Sequence, residues 1–172
     1  MVKLISTEPK LPAKAPTKAA LAKLPRDSYG VATPRAVYRA SRPERVQLIR
    51  AGIPAAYLDQ IASKMAIPKE LLYKNLRLPR STVDRKVREK VVLSPEHTER
   101  VIGLERLIGQ LEVMVLESGD GSAFDAHTWL GVWLENPLPA LGGLKPADYM
   151  DTMAGQEIVS TLLAQMQSGA YA

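Results

Sequence analysis

The chain has 172 residues, 46% of them hydrophobic, a formal net charge of +5 and no cysteine. One ordinary domain or two small ones fit this length, and the lack of cysteine excludes a disulfide framework and thiolate chemistry. Because no apolar run approaches the roughly 18 residues of a membrane helix, and no apolar signal segment stands at the N-terminus, we expect a cytoplasmic protein.

The charges are divided unevenly along the chain. Residues 1–43 carry nine Lys/Arg and two acidic residues, residues 44–94 eleven and five, and residues 95–172 three and eleven. The regional net charges are +7, +6 and −8. They indicate an N-terminal part that attracts polyanions such as nucleic acid and a C-terminal part with a different partner. The alternative is ordinary surface charge without a function.

The first segment, residues 1–42, is rich in proline, lysine and alanine. Prolines at positions 9, 12, 16, 25, 34 and 43 interrupt any long helix, because proline lacks a backbone donor and disfavours helix in the preceding residue. We predict a basic arm that is flexible or becomes ordered on a partner; the alternative is that residues around Leu21 and from Tyr29 to Tyr38 pack on the body. Its cations either contact phosphates or only keep the chain in solution; they include Lys14, Lys18, Lys23 and Arg26.

The second segment, residues 43–93, predicts short helices separated by proline and glycine. Pro43 precedes a helix that Gly52 ends, and Pro54 and Pro68 open the next two helices. A fourth helix, which is strongly basic, follows after a short turn. The last two of these helices and their turn are a candidate helix-turn-helix, the arrangement that places its second helix in the major groove of DNA.

The boundary between these two helices depends on a few residues. The basic helix starts either at a capping box formed by Ser81 and Asp84 or earlier, just after Pro79. Either Asn75 or Arg77 has to adopt a left-handed conformation at the turn. Asn75 is favoured because asparagine adopts that conformation more readily than arginine.

The basic helix has a narrow apolar stripe, formed by Val83 and Val87, beneath a wide polar face. Such a face suits a helix in the major groove, where Arg reads guanine edges and Ser, Thr and Lys hold phosphates. The alternative is a solvated basic surface without a role in binding. The predicted DNA-binding residues are Arg80, Ser81, Thr82, Arg85, Lys86 and Arg88.

The acidic part of the chain, residues 94–172, predicts a second helical domain that ends in a short tail. Ser94-Pro95-Glu96 is a strong helix start, and the apolar period predicts a helix up to about Glu117. The next helix carries Trp129 and Trp133 on one face, and we assign Trp133 to the core.

Two shorter helices complete this second domain. Pro146 opens one of them, and Gly155 precedes the last. Gly169 is expected to end the last helix and to leave the tail Ala170-Tyr171-Ala172. The apolar residues that share one face of the last helix are Ile158, Val159, Leu162, Leu163 and Met166.

Residues suited to catalysis are sparse. His97 and His127 are the only histidines, and their spacing fits neither a zinc site nor a catalytic triad. The glycine pairs lack the lysine and the strand-to-helix context of a phosphate-binding loop. We therefore expect no enzymatic activity, no metal and no cofactor.

The residues of the second domain resemble a known family. The run from about Gly52 to Ala172 is similar to antitoxins of the Xre/MbcA/ParS type, which belong to RES-Xre toxin-antitoxin modules of bacteria. Ser94-Pro95-Glu96 matches the junction between the two domains of this family. The best match lies in the second domain, at Trp133-Leu134, Pro137, Ala140-Leu141-Gly142-Gly143, Pro146, Thr152, Gly155, Val159, Leu163 and Gly169.

Three residues depart from the family pattern. Leu138 stands where asparagine is frequent, Arg77 where the turn often has glycine, and Pro79 where a capping serine is frequent. The resemblance implies an all-α fold with an N-terminal Xre-like helix-turn-helix domain and a small helical toxin-binding domain. It also implies that the protein blocks the active site of a RES-type, NAD-consuming toxin and represses its own operon as a homodimer on operator DNA.

The resemblance directs attention to the end of the chain for toxin binding. One hypothesis is that the tail enters the toxin cleft, with Tyr171 as an aromatic anchor. Another is that the surface of the last helix inhibits the toxin, and a frayed tail without a role is the third possibility. The predicted toxin-binding residues are Gln156, Ser160, Gln167, Gly169, Ala170, Tyr171 and Ala172. A different class of function stays open, a helix-turn-helix transcriptional regulator whose acidic domain only dimerises.

Overall fold

The computed structural model describes residues 22–119 and 124–167, and the regular structure of these residues is helical, which confirms the predicted all-α class. Two 3-10 helices, Pro139–Leu141 and Pro146–Tyr149, precede the last α-helix. None of the helices in the two described ranges has the length and hydrophobicity needed to cross a membrane. The α-helices are α1 (Pro34–Arg39), α2 (Arg42–Ala51), α3 (Tyr57–Lys64), α4 (Lys69–Asn75), α5 (Arg80–Arg88), α6 (Pro95–Glu117), α7 (Ala126–Leu134) and α8 (Met153–Gln167).

Helix α6 is the element on which the others pack. It contacts α1, α2, α7 and α8, and its side chains are buried along most of its length. The Ser94 hydroxyl accepts a hydrogen bond from the backbone amide of His97 at 3.4 Å, so the predicted start and the predicted end at Glu117 are both confirmed. A single cluster of buried side chains includes residues from α1 to α8, and the two predicted domains therefore share one core through α6.

The segment before α2 differs from the flexible arm that the prolines predict. Residues 1–21 lie outside the described ranges, but Val31, Ala32, Ala36 and Val37 are buried against the body of the protein. Prolines 34 and 43 do not break helices here, because both stand in the first turn of one, where a missing amide donor has no cost. The prediction of a flexible or partner-ordered arm is therefore wrong for the part that contains α1, and the alternative of packing on the body is found there.

The ends of two other helices, α2 and α8, can be compared with the predicted ends. Gly52 ends α2 with a φ of 79°, as predicted, and Ser41 forms a capping box with Glu44 at its start. Helix α8 starts at Met153, two residues before Gly155, so the prediction that Gly155 precedes this helix is wrong. The Thr152 hydroxyl accepts a hydrogen bond from the Gly155 amide at 3.1 Å and stabilises the earlier start.

One carboxyl group lies inside the shared core. Glu105 of α6 is fully buried, and the hydroxyl of Tyr57 donates a hydrogen bond to its Oε1 at 3.0 Å. Its Oε2 has no hydrogen-bond partner among the described residues. Burial raises the pKa of Glu105 to about 8; the Tyr57 hydrogen bond and Lys64 act in the opposite direction, and Asp27 and Glu112 add to the increase. The folded protein therefore favours the protonated carboxyl.

This burial predicts a stability that falls with rising pH. The folded state binds the Glu105 proton more tightly than the unfolded state, so the free energy of unfolding decreases from the ordinary carboxyl pKa up to about pH 8 and is then level. We expect Glu105→Gln to remove this decrease and to stabilise the protein at pH 8 by a few kcal/mol. Urea unfolding between pH 5 and 9 measures the effect.

The matched control is Glu117→Gln, which changes an exposed carboxyl at the end of the same helix. It should leave the pH dependence of unfolding as it is in the unmodified protein. A pH dependence that survives in Glu105→Gln would contradict the role of this buried group.

Candidate DNA-binding and partner-binding surfaces

Helices α4 and α5 form the candidate helix-turn-helix. The turn consists of residues 76–79, and two of its side chains, Leu76 and Leu78, are buried and fix the turn to the core. The Leu78 amide donates to the carbonyl of Tyr73 at 2.8 Å. Val83 of α5 is buried as predicted, so one narrow stripe of α5 packs inward and the remaining surface faces out.

The conformation of the turn differs from the prediction. The left-handed residue is Arg77, with a φ of 49°, and the preference for Asn75 is wrong. Asn75 is the last residue of α4, and its amide nitrogen donates to Glu135 Oε1 at 2.9 Å. Tertiary contacts stabilise Arg77 in this position. Arg100 of α6 donates a hydrogen bond to the Arg77 carbonyl at 3.0 Å, and the guanidinium of Arg77 lies 3.3 Å from the carboxylate of Asp151.

The start of α5 follows one of the two predicted alternatives. The helix begins after Pro79, whose ψ of 116° is extended, and no side chain caps its first turn. The capping box of Ser81 and Asp84 is therefore absent, and both residues lie inside the helix. The hydroxyl of Ser81 is consequently not used for capping and stands on an exposed position of α5.

Three of the six predicted DNA-binding residues form an exposed row on α5. Ser81, Arg85 and Arg88 are spaced by four and three positions, which places them on one face of a helix. Arg85 pairs with Glu89 at 3.2 Å, with side chains about half exposed. Exposed pairs of this kind contribute roughly 0–1 kcal/mol, so a phosphate can replace the carboxylate. Arg88 has no ion pair among the described residues.

Of the other three residues, Arg80 and Lys86 have partners within the protein. Arg80 lies 3.6 Å from Glu70 and 3.5 Å from Asp84, and its side chain is still 64% exposed. The ammonium group of Lys86 donates to the Val92 carbonyl at 2.9 Å, which ties it to the loop that follows α5. Thr82 is only half-buried. The exposed row is therefore better placed for contacts with DNA than Lys86.

The predicted toxin-binding residues on α8 do not share one surface. Gln156 is fully buried, and its amide nitrogen donates to the carbonyls of Arg100 at 3.1 Å and Met150 at 2.9 Å. Its side chain occupies the space beside Gly103, where an added Cβ would lie 1.5 Å from Oε1 of Gln156. The prediction of Gln156 as a surface residue is wrong, because it lies on the face that joins α8 to α6.

Ser160 also faces α6, where it exchanges hydrogen bonds with Gln110. Its hydroxyl donates to Gln110 Oε1 at 2.6 Å, and the Gln110 amide donates to the Ser160 carbonyl at 2.9 Å. Gln167 is exposed at the end of α8. Gly169, Ala170, Tyr171 and Ala172 lie outside the described residues. Of the predicted set on α8, only Gln167 is freely available to a partner in the structure.

An open groove lies beside Gln167, between the end of α6 and the end of α8. We call it the α6–α8 groove; its volume is about 320 Å³. Gln167 and Ser118 stand at its edge, and Val115 also contributes to its wall. Its other lining residues are apolar, namely Leu111, Met114, Phe124, Trp129, Leu163 and Met166.

Three aromatic rings extend from this groove into the core. Phe124 and Trp129 have ring centroids 6.0 Å apart, and Trp129 stacks on Trp133 at 5.7 Å with an interplanar angle of 16°. Trp133 is only 7% exposed, which confirms its prediction as a core residue. Phe124 at the other end is 37% exposed. The groove therefore has a rigid wall that is anchored in the core.

Groups suited to catalysis are not brought together in the described residues. No three His, Cys, Asp or Glu side chains in these ranges are placed to hold a metal ion. Burial lowers the pKa of both His97 and His127, which lie on different helices. What the described structure offers is two surfaces for binding, a basic one on α5 and an apolar one at the end of α8.

Comparison with known proteins agrees with this division. Residues 44–106 match the family described as the antitoxin Xre-like helix-turn-helix domain, and residues 123–169 match the antitoxin Xre/MbcA/ParS C-terminal toxin-binding domain. The first match extends into α6, the helix that both parts of the molecule share. The fold and the two surfaces thus define a helix-turn-helix protein with a second, toxin-binding domain packed on the same central helix.

The sequence match to a named relative is extensive. The chain is 45% identical over 151 residues to a protein of Sphingobium sp. (strain YBL2) named Prs ADP-ribosylating antitoxin, a match that covers 86% of this chain and 95% of the relative. The chain belongs to the Xre/MbcA/ParS-type antitoxin family. The predicted helix-turn-helix domain followed by a small helical toxin-binding domain is confirmed.

The buried position of Gln156 leads to a test of its structural role. Gln156→Ala removes the donor for two buried carbonyls and should lower the free energy of unfolding by about 1–3 kcal/mol. The exposed Gln167→Ala is the control, and its effect should stay within about 0.5 kcal/mol. Denaturant unfolding monitored by circular dichroism measures both, and equal effects would contradict the assignment.

Proposed function

We propose that this antitoxin neutralises a RES-type, NAD-consuming toxin by covering its active-site cleft, and that it has no enzymatic activity of its own. The observation that carries the proposal is the match of residues 123–169 to a toxin-binding domain in the acidic part of the chain. The name of the Sphingobium relative supports the type of toxin, because ADP-ribosylation uses NAD as its donor. A protein that binds such a toxin and DNA is expected in the cytoplasm.

Charge supports the proposed mode of inhibition. A cleft that binds NAD has to accommodate an anionic pyrophosphate and is therefore expected to be cationic. Residues 95–172 carry three basic and eleven acidic residues, a net charge of −8. Opposite charges on two binding surfaces steer their association and exclude partners of the wrong sign. The acidic domain is thus complementary to the cleft that it would cover.

The blocking element is proposed to be the end of the chain. Gln156 and Ser160 are used in packing α8 against α6, which leaves Gln167 as the available member of the predicted set on the described part of this helix. The residues that follow it include Gly169, Ala170 and Ala172, which are small, and Tyr171, an aromatic anchor with few torsions. The sequence of this tail suits entry into a narrow cleft.

The second proposed activity is repression of the antitoxin's own operon. Helix α5 would lie in the major groove, with Ser81, Arg85 and Arg88 directed at DNA. Helix-turn-helix proteins usually bind two half-sites as a dimer, and we propose a homodimer on the operator for this reason. The net charge of +6 on residues 44–94 supports attraction to the phosphate backbone.

Deletion of residues 169–172 tests the blocking element. The toxin for this experiment is a RES-domain protein, sought in the gene beside that of the antitoxin, and the measurement is NAD consumption by the purified complex. We expect the truncated antitoxin to co-purify with the toxin but to leave NAD consumption active. Complete inhibition by the truncated chain would assign the block to the surface of α8, and a full-length chain without any inhibition would refute the proposed antitoxin action on this toxin.

Salt dependence tests the DNA surface. Arg88→Ala removes an exposed cation from α5, and the slope of log affinity against log salt should fall in magnitude by about one if Arg88 contacts a phosphate. Arg39→Ala on α1 is a matched exposed-arginine control and should leave the slope unchanged. Fluorescence anisotropy with duplex DNA from upstream of the antitoxin gene provides the data. Binding that is insensitive to salt would exclude this surface.

A further inference from the structure

We infer that the α6–α8 groove is the anchor site for the toxin, and that it takes one or two large apolar side chains from the toxin surface beside the active-site cleft. This inference rests on the proposed antitoxin function and adds to it a binding site outside the tail. The groove would provide affinity for the toxin, and the end of the antitoxin chain would block the toxin's active site.

The size of the groove fits side chains better than a large ligand. Its volume of about 320 Å³ is at the lower limit of ligand clefts, which enclose about 300–1,000 Å³. Among the described residues, no Asp, Glu, Lys or Arg lines it, and its polar residues are Ser118 and Gln167. A charged metabolite would find no counter-charge inside, whereas a leucine, methionine or phenylalanine side chain would lose only its contact with water.

The residues exposed in the groove are those that dominate protein interfaces. Aromatic residues and methionine are enriched at interface centres, and Trp is among the commonest residues with a large contribution to affinity. Phe124 is 37% and Met166 is 38% exposed, although both are large and apolar. Trp129 lies between the rings of Phe124 and the buried Trp133, and its stacking on Trp133 fixes its orientation. Binding to such a preformed wall needs little additional ordering.

The rim of the groove distinguishes the toxin from a second copy of this chain. Glu117 at the end of α6 and Asp125 before α7 are exposed close in sequence to lining residues. A twofold contact through the groove would bring these carboxylates of two acidic domains together, which is unfavourable. A partner with a cationic cleft would instead be attracted to the same rim. The charges therefore favour the toxin as occupant.

The position of the groove joins it to the toxin-binding unit. Phe124, Trp129, Leu163 and Met166 all lie within residues 123–169, the range that matches the toxin-binding domain. Gln167 stands at the edge of the groove, and the proposed blocking tail follows it directly in the sequence. Residues 168–172 are thus connected to a surface that would fix the distance between the tail and the toxin.

The test uses full-length antitoxin with Met166→Ala, Phe124→Ala, and both changes together. The probe is the RES-domain protein encoded beside the antitoxin gene, and binding is measured by titration calorimetry. The controls are Val132→Ala and Leu144→Ala, which truncate apolar side chains that are 62% and 52% exposed outside the groove. Thermal unfolding and affinity for upstream DNA show that each variant remains folded.

We expect each groove variant to weaken toxin binding at least tenfold, and the double variant more, while both controls stay within twofold and DNA affinity is unchanged. Equal toxin affinity of groove variants and unmodified antitoxin would overturn the inference and leave the proposed function intact. Loss of antitoxin dimers in light scattering without loss of toxin affinity would also overturn it, because the groove would then be a contact between copies. If the unmodified protein does not bind the toxin, the proposed function itself fails.

Discussion

The close approach of α1 and α8 to α6 is the constraint on which the rest of the structure depends. Gly109 allows the backbone of α1 to reach α6, since an added Cβ there would lie 2.1 Å from the Pro34 carbonyl oxygen. Gly103 leaves room for the Gln156 side chain of α8 in the same way. A side chain at position 109 would force α1 away from α6, and one at position 103 would displace the buried Gln156 side chain, in a core that interior packing leaves little freedom to rearrange. The α6–α8 groove is built on helices whose packing includes these contacts.

Arg100 connects the two surfaces through one residue of α6. Its guanidinium donates to the carbonyls of Leu76 and Arg77 in the turn before α5, and its own carbonyl accepts the Gln156 amide from α8. The ion pair between Arg77 and Asp151 adds a second link between the two parts of the chain. The turn of the helix-turn-helix is therefore held by α6 and, through Asp151, by the toxin-binding domain. The two parts form a single packed body in which the turn before α5 is bound to both.

Features that depend on neighbouring residues could be predicted from the sequence. The cap at Ser94, the glycine at position 52 and the burial of Trp133 follow from local chemistry or helical spacing, and all three are found in the structure. The left-handed residue of the turn could not be predicted in this way. Intrinsic preference favours asparagine, but the hydrogen bond from Arg100 and the burial of Leu78 stabilise Arg77 in that conformation.

The candidate sites were predictable to a smaller extent, because polarity alone does not show where a side chain points. Gln156 and Ser160 are polar residues of the kind expected at a surface, yet each has a hydrogen-bond partner on α6 and faces inward. Gln156 has a second partner in Met150, just before α8. Met166 is apolar, as core residues usually are, but it lies partly exposed in the groove at the end of α8. The prolines before α2 predict an irregular arm, whereas the carbonyl of Pro34 packs beside Gly109 far along the chain.

That contact has a consequence for the order in which the chain assembles. Helix α1 leaves the ribosome early, but the part of α6 on which it packs is made only after all residues of the helix-turn-helix have emerged. Contacts between residues this distant in sequence form late, since the intervening chain must first be confined. The N-terminal segment is therefore expected to close over the molecule as one of its last folding steps. A nascent chain that ends before α6 lacks the main surface on which α1 packs.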